Sequence, residues 1–253
     1  MPIERLIFAP LWMAPFLIGL LLMAAPLVIY STPASAQVQQ LPTEHLRALR
    51  KRMNSGAEMS NRDLRELADA ADGMAAFQYA KRLEATGKDT LLPDAAHYYA
   101  IASYTDRDYA VKRLASLLNS DKVTLGPGRL RSALDALTRQ ATTGNTDAAI
   151  ALSQMYDRGH PFGRDPVAMR RWLAEAAKAG SGPAALKLAL ALMLPQDGAL
   201  PDLAAAREAL TLLATQDNPG MKATAATLLA RLDAMPAPAL PPAAPLALEG
   251  ITQ

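Results

Sequence analysis

Apolar residues in the middle of the chain recur every three or four positions, which is the spacing of one helix face. In the clearest stretch, Ala148, Leu152 and Tyr156 lie four apart and predict one buried stripe of a helix. Gly159 is a residue on which a helix commonly ends. The following residues 160–164, HPFGR, predict a loop that cannot continue the helix.

A second helix is predicted directly after this loop. Asp165 and Pro166 are the residue types preferred at the N-cap and at the first helical position. Apolar residues then follow at spacings of three and four: Met169, Trp172, Leu173, Ala176 and Ala177. Gly180 ends the pattern. The stretch therefore predicts one unit of helix, turn and helix.

Two residue types repeat with a period near thirty-six residues. The alanines that open predicted first helices are Ala75, Ala110, Ala148 and Ala184, at intervals of 35, 38 and 36. The prolines near the start of predicted second helices are Pro93, Pro127, Pro166 and Pro201, at intervals of 34, 39 and 35. Units of this kind bury their apolar faces by stacking on their neighbours. We therefore predict an all-α fold, an α/α solenoid of about four two-helix repeats.

The predicted organisation has four parts, of which residues 1–36 are the first. Residues 37–73 form a more charged N-terminal helical cap, and residues 74–233 form the repeat domain. The last helix of this domain, residues 219–233, supplies the cap at its C-terminal end. Five prolines interleaved with alanine lie between Pro236 and Pro245, so residues 234–253 are expected to be an extended or disordered tail. This tail is either a spacer or a ligand for a proline-binding groove.

The unit from Ala148 to Gly180 resembles the Sel1-like repeat, a family related to tetratricopeptide repeats. The match includes the alanine, leucine, tyrosine and glycine of the first helix and the aspartate, tryptophan, paired alanines and glycine of the second. Ser153, Met169 and Leu173 depart from the family pattern. The resemblance implies an α/α superhelix that recruits proteins, in bacteria often at the envelope, in exopolysaccharide export or its regulation.

The N-terminal segment predicts export. Leu6 to Tyr30 is a nearly unbroken apolar run of 25 residues, and the small residues Ala34 and Ala36 follow a proline. This arrangement is typical of a signal peptide spanning residues 1–36 and cleaved after Ala36. The run is also long enough for an uncleaved membrane anchor. The body of the protein is accordingly expected in the periplasm or secreted, or held at the inner membrane facing the periplasm.

Composition removes several classes of protein. About one residue in five is alanine and 5% are aromatic, which favours helices over an all-β fold. The absence of cysteine removes disulfides, thiolate metal sites and cysteine nucleophiles. With 26 basic and 24 acidic residues the formal charge is +2, so electrostatics give no case for nucleic acid as a ligand.

The sequence supplies little catalytic chemistry. His45, His97 and His160 are not spaced as metal ligands, although His160 lies in a glycine-bounded loop. No phosphate-binding glycine loop, serine elbow or zinc-binding histidine pair occurs. We predict no catalytic, cofactor-binding or metal-binding residues and no enzymatic activity.

The charged clusters have ordinary structural interpretations. Asp63, Glu66 and Asp69 lie at helical spacing among arginines, which is typical of a solvated, ion-paired face. The basic residues 47–52 and 170–171 could bind an anionic partner but are typical of solubilising charge. Trp172 could stack on a sugar, and its position in the repeat predicts burial instead.

These observations favour an exported repeat scaffold that binds another envelope protein in its concave groove. Membrane association would occur only through an uncleaved leader. A periplasmic module that binds a glycan or peptidoglycan is the alternative, and it predicts exposed aromatic side chains.

Overall fold

The computed structural model describes residues 41–195 and 198–235, and these residues form helices connected by turns, with no strand among them. The helices are α1 (Glu44–Asn54), α2 (Asn61–Asp69), α3 (Gly73–Ala85), α4 (Leu92–Tyr104), α5 (Val111–Leu118), α6 (Pro127–Thr142), α7 (Thr146–Arg158), α8 (Pro166–Lys178), α9 (Gly182–Met193), α10 (Leu203–Ala214) and α11 (Pro219–Asp233). Single turns of 3-10 helix precede α4 and α5, at Asp89–Leu91 and Asp108–Ala110. Among the described residues, no helix combines the length and the hydrophobicity that a transmembrane span requires. The predicted leader and most of the predicted tail lie outside these ranges.

The helices pack in consecutive pairs, which confirms the predicted α/α solenoid. Within units, α3 packs on α4, α7 on α8 and α9 on α10. Between units, α8 packs on α9, and α10 packs on α11. At the N-terminal end α1 packs on α2 and α2 on α3, and at the C-terminal end α11 packs on α10. The assignment of these end helices as caps stays a prediction.

The α7–α8 unit has the local signals expected from its sequence. Gly159 ends α7 in a left-handed conformation with a φ of 81°. The Asp165 side chain accepts hydrogen bonds from the backbone N–H groups of Val167 and Ala168, each at 2.9 Å. These bonds satisfy donors that the first turn of α8 would otherwise leave unpaired.

A shared turn joins each unit to the next. Four residues at these turns have positive φ: Ala71, Asp106, Gly144 and Gly180. Each is followed directly by the residue at the N-cap position of the next unit's first helix or of the 3-10 turn that precedes it. At the last of these turns the Ser181 N–H donates to Ala176 O and the Gly180 N–H donates to Ala177 O. The same pair of bonds recurs at the other three turns, so each is a Schellman motif. At Asp72, Asn145 and Ser181, the residue that completes the motif is also the N-cap of the following helix.

Small residues line the seams between helices. The alanines that were predicted to open the units are buried: Ala75, Ala110, Ala148 and Ala184. The largest fully buried side chain is that of Tyr99 in α4. Its hydroxyl donates to Glu84 Oε2 at 2.8 Å, and burial raises the pKa of Tyr99. Alanine lets helices approach closely, and the large rings fill the remaining space.

The second unit differs from the simple hairpin that its sequence predicts. Its two helices form, but α6 packs mainly against α4 and α7 and barely contacts α5. The cause lies in α5, which is 8 residues long, and in the buried Gln140 of α6. The Gln140 amide donates from Nε2 to Ser103 O at 2.8 Å, and its Oε1 accepts from Asn145 Nδ2 at 3.3 Å. Gln140 therefore ties α6 to the end of α4 and the start of α7.

Candidate protein-interaction surface

The structure does not bring the three histidines together. His45 lies on α1, where its Nε2 is 3.2 Å from Glu66 Oε1, and His160 is exposed in the loop before α8. His97 is half-buried on α4, and its Nδ1 has no hydrogen-bond partner among the described residues. Burial, together with the nearby Arg129, lowers the pKa of His97. Within residues 41–195 and 198–235, no group of three His, Asp or Glu side chains could hold a metal ion.

The acidic residues of α2 pair mostly with other helices. Asp63 lies 3.6 Å from Arg52 of α1, and Glu66 pairs with His45. Asp69 lies 3.5 Å from Arg65 and also accepts a hydrogen bond from the Tyr98 hydroxyl at 2.7 Å. Asp63 and Glu66 therefore join α2 to α1, and Asp69 joins α2 to α4.

The remaining sequence candidates also have structural roles. Arg50 forms an ion pair with the buried Asp72, and Arg47 donates to Leu41 O at 3.1 Å. Trp172 is 5% exposed, which confirms its predicted burial, and the Arg171 guanidinium lies 5.1 Å from the centre of its ring.

A surface of exposed and half-buried side chains follows the first helices of three successive units, and we call it the first-helix face. It consists of two rows of equivalent positions: Met74, Tyr109 and Asp147 in one, and Phe77, Lys112 and Ile150 in the other. These positions follow the intervals of 35 and 38 residues that the repeats show. Stacking of the units therefore aligns side chains that are distant in sequence.

Side-chain contacts connect this face across the unit boundaries. The rings of Phe77 and Tyr109 meet edge to face, with centroids 4.5 Å apart. The Tyr109 hydroxyl donates to Met74 Sδ at 3.7 Å. Further along, Lys112 Nζ lies 3.3 Å from Asp147 Oδ2. The first-helix face is thus preformed, with an aromatic cluster between its first and second units and an ion pair between its second and third units.

Two arginines lie beside the aromatic cluster, and one of them, Arg50, forms the ion pair with Asp72. Arg50 and Arg107 lie close enough that Arg107 adds to the effect of burial in lowering the pKa of Arg50. The Nε atom of Arg107 is buried without a hydrogen-bond partner among the described residues. Tyr109, which is 45% exposed, lies beside both arginines. An exposed aromatic ring beside arginine is typical of the centre of a protein interface.

Sequence analysis did not single out Tyr109 or this face. Tyr109 lies in the 3-10 turn before α5, where the helical period is interrupted. The sequence feature that could have identified Tyr109 is its position in the repeat, because it stands 35 positions after Met74 and 38 before Asp147.

No protein family and no curated protein matches this sequence. Among solved structures, the chain is similar to a Sel1 repeat protein from Oxalobacter formigenes, with 17% sequence identity and a TM-score of 0.38. The similarity covers 69% of this chain and 71% of that one.

Proposed function

We propose that this chain is an exported, non-enzymatic repeat scaffold that binds another envelope protein along the first-helix face. The observation that carries the proposal is the aromatic pair of exposed Tyr109 and half-buried Phe77, which lies beside two arginines. Both residues align with equivalent positions of the neighbouring units. Binding in the concave groove, which the sequence led us to expect, stays a prediction.

Preorganisation supports a binding role. Phe77 also meets the buried ring of Tyr99 edge to face, with centroids 5.7 Å apart, so the cluster is anchored in the core. Lys112 of α5 forms an ion pair with Asp147 of α7. A partner that binds such a surface does not have to order the backbone, so less conformational entropy is lost.

The experiment is a pull-down from envelope extracts with the tagged full chain, quantified by mass spectrometry. Tyr109→Ser is the test variant and Tyr104→Ser its matched control, because Tyr104 is 51% exposed and lies outside the first-helix face. We expect a protein that is recovered by the wild type and the control and is reduced about tenfold with Tyr109→Ser, as for loss of about 1.4 kcal/mol at an interface. Equal recovery by both variants, or no protein above background, would contradict the proposal.

Export is part of the same proposal and has its own test. The apolar run and the small residues before Gln37 support cleavage after Ala36. The mass of the chain isolated from its own cells should then correspond to a polypeptide beginning at Gln37. An intact leader in the inner-membrane fraction would instead support the anchored form.

The resemblance to Sel1-like proteins extends the proposal to an accessory or regulatory role in exopolysaccharide production. A strain that lacks the chain should then secrete less polysaccharide, and the Tyr109→Ser variant should fail to restore it. Normal secretion by the deletion strain would contradict this role and leave the scaffold itself untouched.

Direct glycan binding is the second candidate, and the exposure of Tyr104 and Tyr109 favours it. The Arg139 guanidinium lies 5.3 Å from the centre of the Tyr104 ring, which leaves Tyr109 as the better stacking surface of the two. Isothermal titration with peptidoglycan fragments and secreted polysaccharide tests this candidate, and an absence of heat would exclude it.

A further inference from the structure

A second surface lies where α7, α8 and α9 meet. A groove of about 370 Å³ opens between the C-terminal ends of α7 and α9 and the N-terminal end of α8. Its apolar lining consists of Tyr156, Met169, Leu190, Ala191 and Leu194. Leu190 is 43% and Leu194 68% exposed. Exposed leucines that border a groove indicate a surface that another segment covers.

The rim of the groove is basic. Lys187 Nζ pairs with Asp157 Oδ2 at 2.9 Å, so these two charges offset each other. Arg164 is exposed on the loop before α8, and its side chain makes no ion pair within the described ranges. The groove therefore suits an apolar segment that carries a carboxylate.

The end of α11 lies at the same edge of the fold as this groove. Arg207 in the first half of α10 forms an ion pair with Asp233, the last residue of α11. The N–H of Asp202, the N-cap of α10, donates to Leu192 O near the end of α9 at 3.0 Å. The end of α9, the start of α10 and the end of α11 therefore lie in sequence along one edge of the fold, and the chain leaves α11 at the edge where the groove opens.

The segment that follows has the matching chemistry and enough length. Residues 236–253 contain five prolines, Leu246 and Leu248, and Glu249 is their sole charged side chain. Two helix-packing steps of 8–10 Å separate α11 from α9, or roughly 20 Å. Eighteen residues in a polyproline conformation span about 55 Å. Proline also restricts the unbound segment, which lowers the entropy lost on binding.

We propose that the groove binds residues 236–253 of the same chain, with Leu246 and Leu248 on the exposed leucines and Glu249 at Arg164. The tail would then act as an intramolecular ligand that covers an apolar surface until a competitor displaces it. This inference does not depend on the proposed function, because it uses no residue of the first-helix face.

Site-specific crosslinking in the full chain tests the proposal. A photoreactive benzoylphenylalanine replaces Leu194, and the matched control places it at Tyr104, which is comparably exposed but lies on α4. After irradiation and proteolysis, mass spectrometry identifies the crosslinked peptides. We expect the Leu194 position to crosslink to residues 236–253 at least tenfold more than the Tyr104 position does. Mixing of isotopically light and heavy chains identifies crosslinks within one chain.

Charge reversal provides the second arm. Arg164 lies on an exposed loop, so Arg164→Glu should leave the circular dichroism spectrum unchanged. The same substitution should reduce the crosslink yield at least threefold. Combining it with Glu249→Arg should restore the yield. The proposal is overturned by equal yields at Leu194 and Tyr104, by crosslinks to a second copy or another protein, or by a yield that ignores both charge changes.

Discussion

Ala71 and Asp106 share the same left-handed backbone conformation, with a φ of 61° at each residue. They occupy equivalent positions in the turns that lead into α3 and α5, where the next two boundary turns carry Gly144 and Gly180. A residue with a Cβ atom pays about 1–2 kcal/mol in this region. The first two boundaries therefore hold backbone strain that the later two avoid.

Replacing Ala71 with glycine is expected to stabilise the protein. Relief of the left-handed strain outweighs the added flexibility of glycine in the unfolded chain, for a net gain of about 0.5–1 kcal/mol. Ala70→Gly is the control, because Ala70 has a φ of −83° and offers no strain to relieve. Chemical denaturation measures both variants, and a loss of stability in Ala71→Gly would contradict the strain.

Gly73→Ala is expected to destabilise the protein by about 1–3 kcal/mol. The new Cβ would overlap Thr105 Oγ1 and lie 3.0 Å from Thr105 Cβ. Thr105 cannot easily move, because its hydroxyl donates to Ile101 O and Ala102 O. Thermal denaturation should show a lower Tm.

Two further variants check this explanation. Thr105→Gly should recover part of the stability that Gly73→Ala loses, because it removes the overlapping atoms. Gly128→Ala on α6, where no atom lies within 4 Å of the added Cβ, should instead gain about 0.5–1 kcal/mol. A loss in Gly128→Ala equal to that in Gly73→Ala would count against a steric cause.

Because of Tyr98, the free energy of unfolding is expected to decrease as the pH rises through the alkaline range. Burial, reinforced by its hydrogen bond to Asp69, raises the pKa of Tyr98 to about 12. An unfolded tyrosine loses its proton near pH 10, so the stabilising effect is complete below pH 10 and is lost between about pH 10 and 12. In denaturant titrations, the free energy of unfolding of Tyr98→Phe should fall less steeply between about pH 10 and 12 than that of the wild type.

The same substitution has an expected cost at neutral pH. Loss of the hydrogen bond to Asp69 should lower stability by about 1–2 kcal/mol at pH 7. Tyr104→Phe, which removes an exposed hydroxyl, should stay within about 0.5 kcal/mol of the wild type. Equal effects of the two substitutions would contradict a specific role for the Tyr98 hydroxyl.

His97 is expected to weaken the fold in mild acid. Because its pKa is lowered, the folded protein takes up the proton at a lower pH than the unfolded chain does. Stability therefore falls as the pH drops below about 6.5, the ordinary value for histidine. His97→Leu should reduce the slope of stability against pH between 7 and 5. An unchanged slope would assign the acid sensitivity to other groups.

The parts of the fold that depend on local signals could be predicted from the sequence. The limits of α7 and α8 follow from Gly159, Asp165 and Pro166, each of which acts on its immediate neighbours. The packing of α6 could not be predicted in this way. It depends on a bond from Gln140 to Ser103, residues 37 positions apart, and a polar residue in a helical pattern does not reveal its partner.

The binding surfaces were less accessible to sequence analysis. The α9 sequence is apolar on nearly every side, which signals either full burial or an exposed apolar patch. The structure shows that Leu188 is buried and Leu190 is exposed. Tyr109 was missed because its place in the face comes from the stacking of units and not from the periodicity of any one helix.

Because of the Schellman turns, one edge of the solenoid tolerates inserted residues and the other does not. At a boundary such as Gly180-Ser181, one residue closes a helix and its neighbour caps the next, so an inserted residue would break both ends at once. The connections within units already range from six residues, between Ala85 and Leu92, to nine, between Met193 and Leu203. Peptides or whole domains could be grafted into these connections while the distance between neighbouring units stays fixed, which makes that edge the natural place to engineer new specificities.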